Sequence, residues 1–146
     1  MKIEEERNSL LLDFEVLKHL DSIKQSRVQA DLKQNVKSGP KSENLETILI
    51  ELHAYLRDRP AGNGAHPQST DSINTFVNEI KRFELEKAEV LQLINITPQS
   101  LPVLYNVIEE CDQRFSNEEM EELLRLVEGL GFEPQPQQEN TNDEDQ

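Results

Sequence analysis

The sequence contains few of the residues on which several common protein chemistries depend. It has one cysteine, five glycines and three histidines among 146 residues. A single cysteine excludes an intramolecular disulfide and a zinc site built from several cysteines, and it fits a reducing compartment. No apolar run approaches the roughly 18 residues that a membrane-spanning helix requires. The acidic N-terminus also lacks the apolar stretch of a signal peptide, so we expect an intracellular chain.

Basic residues are outnumbered by acidic residues. The chain has 15 Lys and Arg against 29 Asp and Glu, which gives a net charge of −14 at pH 7. Residues 1–58 carry a net charge of −2, whereas residues 59–146 carry −12. Proteins that hold nucleic acid need a basic face and gain affinity from released counterions, so this balance disfavours a function built on phosphate contacts.

Enough large apolar residues remain for a small core. Leu, Ile, Val and Phe make up 41 of the 146 residues, or 28%, and this exceeds the roughly 20% below which chains tend to be disordered. Glycine and proline interrupt the chain at residues 37–42 and 59–70, which predicts a short break and a longer linker. Residues 133–146 contain no large apolar side chain and predict a disordered acidic C-terminal tail.

Helical periodicity predicts an all-α protein whose first part is an N-terminal helical segment over residues 1–58. Asp13 is expected to cap its first helix and Asn44 its second. Pattern alone leaves a short strand open for residues 10–12. Apolar residues follow each cap at spacings of three and four, as on one helix face. The two stripes are Phe14, Leu17, Leu20 and Ile23, weakly continued by Val28, Leu32 and Val36, and Leu45, Ile48, Leu49, Leu52 and Leu56.

The second part is a compact helical domain over residues 71–132. Four helices are expected there, and the last has the clearest start, because a serine and a glutamate three residues later form a capping box. The expected signals are an N-cap at Asp71, a helix over residues 86–95, a start at Ser100 with Pro102 in the first turn, the capping box of Ser116 and Glu119, and a left-handed Gly129 after the last helix.

No group of residues predicts catalysis, a cofactor or a metal site. His19, His53 and His66 do not have the spacing of a metal motif. Cys111 lies among acidic residues, which oppose the thiolate that a nucleophile needs, so we interpret it as structural. Adjacent carboxylates are interpreted as solvated helix faces, and neither a phosphate loop nor a calcium loop is present. The predicted catalytic, cofactor-binding and metal-binding sets are therefore empty.

One small basic patch keeps a nucleic-acid function open as an alternative. Lys81, Arg82 and Lys87 lie close together in the sequence, as the contact set of an independent nucleic-acid-binding module would. The 18 acidic residues in the same half of the chain oppose this interpretation. Charge pairing within the domain is the simpler role for the three basic residues.

The start of the chain is richer in apolar residues than one isolated helix can bury in its own segment. An exposed apolar patch of this kind usually marks a protein interface. The alternative is that these residues pack on the apolar stripe of residues 45–56, and both hold if the two helices clamp a partner together. The predicted partner-binding residues are Leu10, Leu11, Leu12, Phe14, Val16, Leu17 and Leu20.

Several runs of sequence carry a resemblance to a known family. Residues 87–92 read KAEVLQ, residues 104–115 read LYNVIEECDQRF, and EERN at residues 5–8 precedes LDFEVL at residues 12–17. These runs resemble the small stalk subunits of RNA polymerases, in the version found in RNA polymerase III. The family includes the small stalk subunit of polymerase II and its counterpart in the archaeal polymerase. In animals it also carries the name calcitonin gene-related peptide receptor component.

The resemblance implies a fold, partners and a location. The second domain would have the HRDC-like helical fold, named for a domain of helicases and ribonuclease D. The N-terminal segment would form a heterodimer with a larger stalk subunit bearing an OB-fold, and the pair would project from the polymerase III core and help to recruit initiation factors. No catalytic residue is implied, and the chain would act in the nucleus.

Two other roles are weighed against this one. HRDC domains elsewhere can bind DNA, but the acidity of this one leads us to expect no direct contact with nucleic acid. An accessory role for a membrane receptor, which one family name suggests, is opposed by the net charge of −14, because anionic lipid repels it. We therefore expect no membrane contact.

Overall fold

The computed structural model describes residues 9–34, 43–62 and 67–131. Every regular element within them is helical, which confirms the all-α prediction. The predicted tail over residues 133–146 and the break over residues 37–42 lie outside the described residues. The elements are α1 (Asp13–Gln34), α2 (Glu43–Arg57), α3 (Thr70–Glu79), a 3₁₀ turn (Ile80–Phe83), α4 (Lys87–Ile96), α5 (Leu101–Val107), α6 (Cys111–Arg114) and α7 (Asn117–Glu128).

Helices α1 and α2 form an antiparallel hairpin. Arg27 in α1 pairs with Glu46 near the start of α2, with 2.6 Å between Nη1 and Oε1. Earlier in α1, Asp21 pairs with His53 further along α2, at 2.8 Å. The two helices therefore run in opposite directions past each other. Between them lies a cluster of buried Leu17, Leu20, Leu56 and Ala61, with Phe14, Val16, Leu49 and Leu52 partly buried against it.

The chain turns sharply after α2 and presses back on the hairpin. The backbone N–H of Gly62 donates to the carbonyl of Arg59 at 2.9 Å. A Cβ atom at position 62 would lie 2.7 Å from Cα of Arg57 and 2.8 Å from Cδ2 of Leu17. Glycine is therefore required here by the close approach of the backbone to both helices. The first residues of the predicted linker are thus part of the packed hairpin.

Helices α3 to α7 surround the larger core. Leu93, Leu104, Leu123 and Leu130 have no exposed surface. The rings of Phe83 and Phe115 pack edge to face, with centroids 6.1 Å apart. This is a favoured geometry for aromatic pairs. The other buried members are Ile73, Phe76, Ile80, Phe83, Ile94, Val107, Ile108, Cys111, Met120 and Val127.

The capping box predicted at the start of α7 is present. The Ser116 hydroxyl accepts a hydrogen bond from the backbone N–H of Glu119 at 3.3 Å, and the Glu119 carboxylate accepts one from the N–H of Ser116 at 2.8 Å. These bonds satisfy N–H groups that a helix start leaves without partners. The carboxylate of Glu119 accepts from both the backbone N–H and the hydroxyl of Ser116, and these two bonds lower the pKa of Glu119. Ser100 is likewise the N-cap of α5, with Pro102 in the first turn.

The N-caps expected for α2 and α3 are wrong. Ser69 rather than Asp71 caps α3, because its hydroxyl accepts from the backbone N–H of Ser72 at 3.0 Å. Asp71 lies instead in the first turn, where the helix dipole favours a carboxylate. Helix α2 begins at Glu43, so Asn44 lies inside the helix and not before it.

The expected end of α7 is also wrong. Gly129 has a φ of −64° and is right-handed, whereas Gly131 has a φ of 135°. The backbone N–H of Leu130 bonds to the carbonyl of Val127 at 3.0 Å, and this tighter turn carries Leu130 into the core. Because Leu130 is buried, the left-handed backbone falls at Gly131, two residues later than expected.

Two short elements are not predicted by the sequence pattern. The 3₁₀ turn Ile80–Phe83 reads in the sequence as a continuation of α3, and the single turn α6 has no periodic stripe of its own. Glu84 follows the 3₁₀ turn and Glu110 precedes α6, each with a φ of 49°. Left-handed backbone is usually supplied by glycine, so the sequence contains no signal for these two turns.

We predict that Leu104→Ala lowers the free energy of unfolding by about 2–5 kcal/mol, because the change leaves a cavity in a site without exposed surface. Urea denaturation followed by far-UV circular dichroism measures this. The matched control is the neighbouring Val103→Ala, since Val103 is 39% exposed, and it should cost less than about 1 kcal/mol. Equal losses in the two variants would contradict the described core.

Candidate partner-binding surface

Large apolar side chains are exposed mainly on the N-terminal hairpin. Among the described residues eleven such side chains are exposed, and eight of them belong to residues 9–57. A pair of helices covers only one stripe on each helix and leaves the other faces in water. We name these eight residues the hairpin surface: Leu10, Leu11, Val28, Leu32, Leu45, Ile48, Ile50 and Tyr55.

The helical domain that follows exposes much less apolar surface. Ile96, Val103 and Tyr105 are its exposed large apolar residues within residues 67–131, each 39–43% accessible. Five helices close around one core there, so the domain covers its own apolar residues. Because large exposed apolar surface usually marks a binding site, the hairpin surface is the candidate site of this chain.

The seven residues predicted to bind a partner fall into three groups. Leu10 and Leu11 precede α1 and are 78% and 56% exposed. Leu17 and Leu20 are buried between α1 and α2, so direct contact with a partner would require the two helices to separate. The packing alternative from the sequence therefore holds for Leu17 and Leu20, and the partner-binding role of the seven residues stays a prediction. The partly buried members are Leu12, Phe14 and Val16.

Phe14 connects the hairpin to the helical domain. Its ring packs against the hairpin cluster and also against the larger core. Leu12 packs against the larger core as well, and the ammonium of Lys18 lies 5.8 Å from the centroid of the Phe14 ring. The start of α1 is thus fixed on the domain. Leu10 and Leu11 come directly before this junction in the chain.

A polar cluster holds the same junction. The Nε of Arg59 donates to Oδ2 of Asp13 at 2.9 Å, and its Nη2 donates to the carbonyl of Asn95 at 3.4 Å. The side-chain oxygen of Asn95 accepts from the backbone N–H of Asp13 at 3.0 Å. The guanidinium also lies 5.5 Å from the centroid of the Tyr55 ring. A residue of the predicted linker therefore ties α1, α2 and the end of α4 together.

This cluster explains why the expected N-cap of α1 is wrong. Asp13 is the first residue of the helix, and its carboxylate binds Arg59 instead of the helix backbone. Leu12 takes the position before the helix, where its carbonyl accepts from Val16 at 3.1 Å. The N–H of Leu12 donates to the carboxylate of Glu15 at 2.9 Å, which is half of a capping box.

Two of the runs of sequence that carry the family resemblance meet in an ion pair between a buried carboxylate and a partly exposed guanidinium. Glu89 belongs to the first run and Arg114 to the second, with 2.7 Å between Oε1 and Nη1. The carboxylate also accepts from the backbone N–H groups of Glu109 at 3.1 Å and Glu86 at 2.9 Å. These contacts join the start of α4, the left-handed turn at Glu110 and α6.

The charge state of Glu89 follows from these contacts. Burial raises the pKa of this carboxyl group, but the hydrogen bond from Arg114 and the two backbone bonds outweigh it, so the pKa of Glu89 is lowered from its ordinary value. Our interpretation of the carboxylates as solvated faces misses this residue, which is 8% exposed. Its partner lies 25 residues away, and no local spacing reveals such a pair.

The basic patch of the sequence is divided between neighbours. Arg82 binds the carboxylate of Glu122 in α7, with 2.7 Å between Nη2 and Oε1. Lys81 donates to the side-chain oxygen of Asn78 at 2.9 Å, and Lys87 is exposed in the first turn of α4. Two of the three residues thus contact groups of their own domain.

The residues weighed for chemistry are mostly buried or paired. Burial raises the pKa of the Cys111 thiol, which opposes a reactive thiolate. His53 pairs with Asp21, His19 is exposed, and His66 lies outside the described residues. Across residues 9–34, 43–62 and 67–131, no cluster of His, Cys, Asp and Glu could hold a metal ion, and no helix is long and apolar enough to cross a membrane.

A helical protein with this much exposed apolar surface on one pair of helices is typical of proteins that bind other proteins. The family model described as RNA polymerase Rpb4 matches residues 10–130. The match spans most of the chain and includes all seven predicted partner-binding residues and both motifs that meet at Glu89 and Arg114. The chain belongs to the RNA polymerase Rpb4 family, which confirms the resemblance seen in the sequence.

Two curated relatives are similar over nearly their whole length. The chain is 29% identical over 159 aligned residues to DNA-directed RNA polymerase III subunit RPC9 of Saccharomyces cerevisiae, covering 88% of this chain and 99% of the relative. It is 31% identical over 127 residues to DNA-directed RNA polymerase III subunit rpc9 of Schizosaccharomyces pombe, covering 87% of this chain and 96% of the relative.

We predict a pH-dependent loss of stability in Glu89→Gln. The folded state lowers the pKa of Glu89 from its ordinary value, so the ionised group stabilises the fold at pH values above the unfolded-state pKa, and this contribution disappears as the pH falls through the folded-state pKa. The variant should be about 1–3 kcal/mol less stable near pH 7, and the difference should shrink as the pH falls through the lowered pKa of Glu89 in the folded state. Urea denaturation at several pH values measures it.

The matched control for this change is Glu121→Gln on the exposed side of α7. It should alter the free energy of unfolding by less than about 0.5 kcal/mol. A difference between the unmodified chain and Glu89→Gln that stays constant from neutral to acidic pH would show that the ion pair does not carry this stability.

Proposed function

We propose that this chain is a non-catalytic stalk subunit of DNA-directed RNA polymerase III. It forms a heterodimer with the larger stalk subunit, which bears an OB-fold, and the pair joins the polymerase core in the nucleus and supports transcription initiation through contacts with initiation factors. The observation that carries the proposal is the hairpin surface, in a chain whose relatives are named as polymerase III subunits. So much exposed apolar surface favours a permanent partner.

The contact with the larger stalk subunit begins at Leu10 and Leu11. Both side chains are exposed directly before α1, so a partner can bury them without opening the hairpin. Phe14 and Arg59 fix this segment against the domain. A partner bound here is therefore held at a defined position relative to helices α3 to α7.

The helical domain supplies the contact with initiation factors. Residues 67–131 contain 13 acidic and 5 basic side chains, a net charge of −8. Arg82 and Arg114 are engaged by carboxylates of the same domain. The remaining acidic residues on exposed helix faces favour a basic partner, because complementary charge steers association and opposes wrong partners.

We predict that the double change Leu10→Asp with Leu11→Asp weakens the heterodimer at least about tenfold, because it places charge in an apolar contact. Titration calorimetry with the purified larger stalk subunit measures the affinity. The unfolding midpoint of the isolated chain should not change, since both side chains are exposed.

The control for the heterodimer is Val103→Asp, which places the same charge on an exposed apolar residue of the helical domain. It should leave the affinity within about twofold of the unmodified chain. Unchanged affinity in the variant of Leu10 and Leu11 would remove this segment from the interface.

We also predict that the full chain binds DNA and RNA weakly and with almost no dependence on salt, because its net charge of −14 releases few counterions. Filter binding across a salt series measures this. A clear slope that disappears when Lys81, Arg82 and Lys87 are changed to Ala would favour the alternative function, an independent nucleic-acid-binding module.

A further inference from the structure

A groove with a volume of about 400 Å³ lies between α1 and α2 on the hairpin. Its residues recur at spacings of three and four on both helices, so each wall is one helical stripe. Val28 and Ile50 are among the exposed residues of the hairpin surface, while Leu20 is buried beneath them. The apolar lining of the groove is Leu20, Ile23, Val28, Leu49, Ile50 and Ala54.

The length of the groove fits a helix. On α1 its wall runs over residues 20–28 and on α2 over residues 46–57, which at 1.5 Å per residue is about 12 Å and about 16 Å. A third helix of about three turns spans this length. Docking of an amphipathic helix into an apolar groove is a common mode of recognition, with anchors at positions i, i+3, i+4 and i+7.

The charged side chains that line the groove are mainly basic, although the chain as a whole is acidic and the lining His53 binds the carboxylate of Asp21 at 2.8 Å. Lys24, Arg27 and Arg57 line it together with a single carboxylate, that of Glu46. Glu46 is bound to Arg27 at 2.6 Å. An occupant therefore gains from acidic residues on both sides of its apolar face.

We propose that this groove binds an amphipathic helix of another protein whose apolar face is flanked by Asp or Glu. The inference rests on the proposed function in that the hairpin is a partner-binding unit. It adds a second contact, beyond Leu10 and Leu11, and specifies the chemistry of the segment that occupies it.

Two other occupants fit the groove less well. Residues 133–146 of this chain carry five acidic residues but no Leu, Ile, Val, Met or aromatic side chain that could fill the apolar lining. A second copy of the hairpin in a symmetric contact would bring Lys24 and Arg57 close to the same residues of its partner, because both copies present the same patch.

The test uses a designed helical peptide of about 15 residues. It has Leu at positions i, i+3, i+4 and i+7 and Glu on both sides of this stripe, and the matched control peptide has Lys in place of each Glu. We expect the full chain to bind the Glu peptide at least about tenfold more tightly at low salt, with a smaller ratio at high salt. Equal binding of the two peptides overturns the proposal.

Variants of the full chain locate the binding site. Ile50→Gln and Lys24→Glu should each weaken binding of the Glu peptide at least about fivefold. Their matched controls are Ile48→Gln, an exposed isoleucine of the same helix outside the groove, and Lys87→Glu in the helical domain. Each control should change the affinity less than about twofold, and losses equal to those of the groove variants overturn the proposal.

Two further measurements separate the other occupants. Changing the five tail acids to amides should leave peptide affinity unaltered, and a gain of about tenfold would assign the groove to the tail and overturn the proposal. Sedimentation should show a monomer, and a dimer that Ile50→Gln dissociates would assign it to a second copy. If the chain forms the heterodimer but does not bind the Glu peptide, only the inference about the groove is overturned. If the chain does not bind the larger stalk subunit, the proposed function itself is overturned.

Discussion

Two antiparallel helices can cover only one stripe on each other, and this constraint sets the character of the whole chain. Leu17 and Leu20 of α1 are buried against Leu56 of α2, but other large apolar residues of the two helices, such as Val28 and Ile50, are exposed. In the domain of α3 to α7, five helices enclose Leu93 and Leu104 completely. The hairpin therefore exposes more large apolar side chains than the domain does.

Much of the fold is predictable because its signals are local. The capping box of Ser116 and Glu119 lies within one helical turn, and the sequence alone locates it. The N-cap of α1 is not predictable, since Arg59 lies 46 residues from Asp13 and draws its carboxylate away from the helix backbone. The left-handed backbone at Glu84, Thr97 and Glu110 is not predictable either, because none of these residues is a glycine.

The candidate site is predictable in its location but not in its detail. Apolar richness at the start of the chain indicates an interface, yet the sequence treats Leu10 and Leu20 alike. The structure distinguishes the two residues, because Leu20 packs against α2 and is buried, whereas Leu10 precedes α1 and is exposed. The sequence does not reveal the basic lining of the groove either, because Lys24 and Arg57 line the same groove only when the two helices pair.

Hydrogen exchange of backbone amides in the free chain and in purified RNA polymerase III tests the partner-binding role of the hairpin most directly. Exchange reports how often each amide opens to solvent, and a bound partner suppresses local opening. We expect slower exchange in the polymerase at residues 10–12 and in α1 and α2, with little change in α4. Unchanged exchange throughout the hairpin would contradict a partner on this surface.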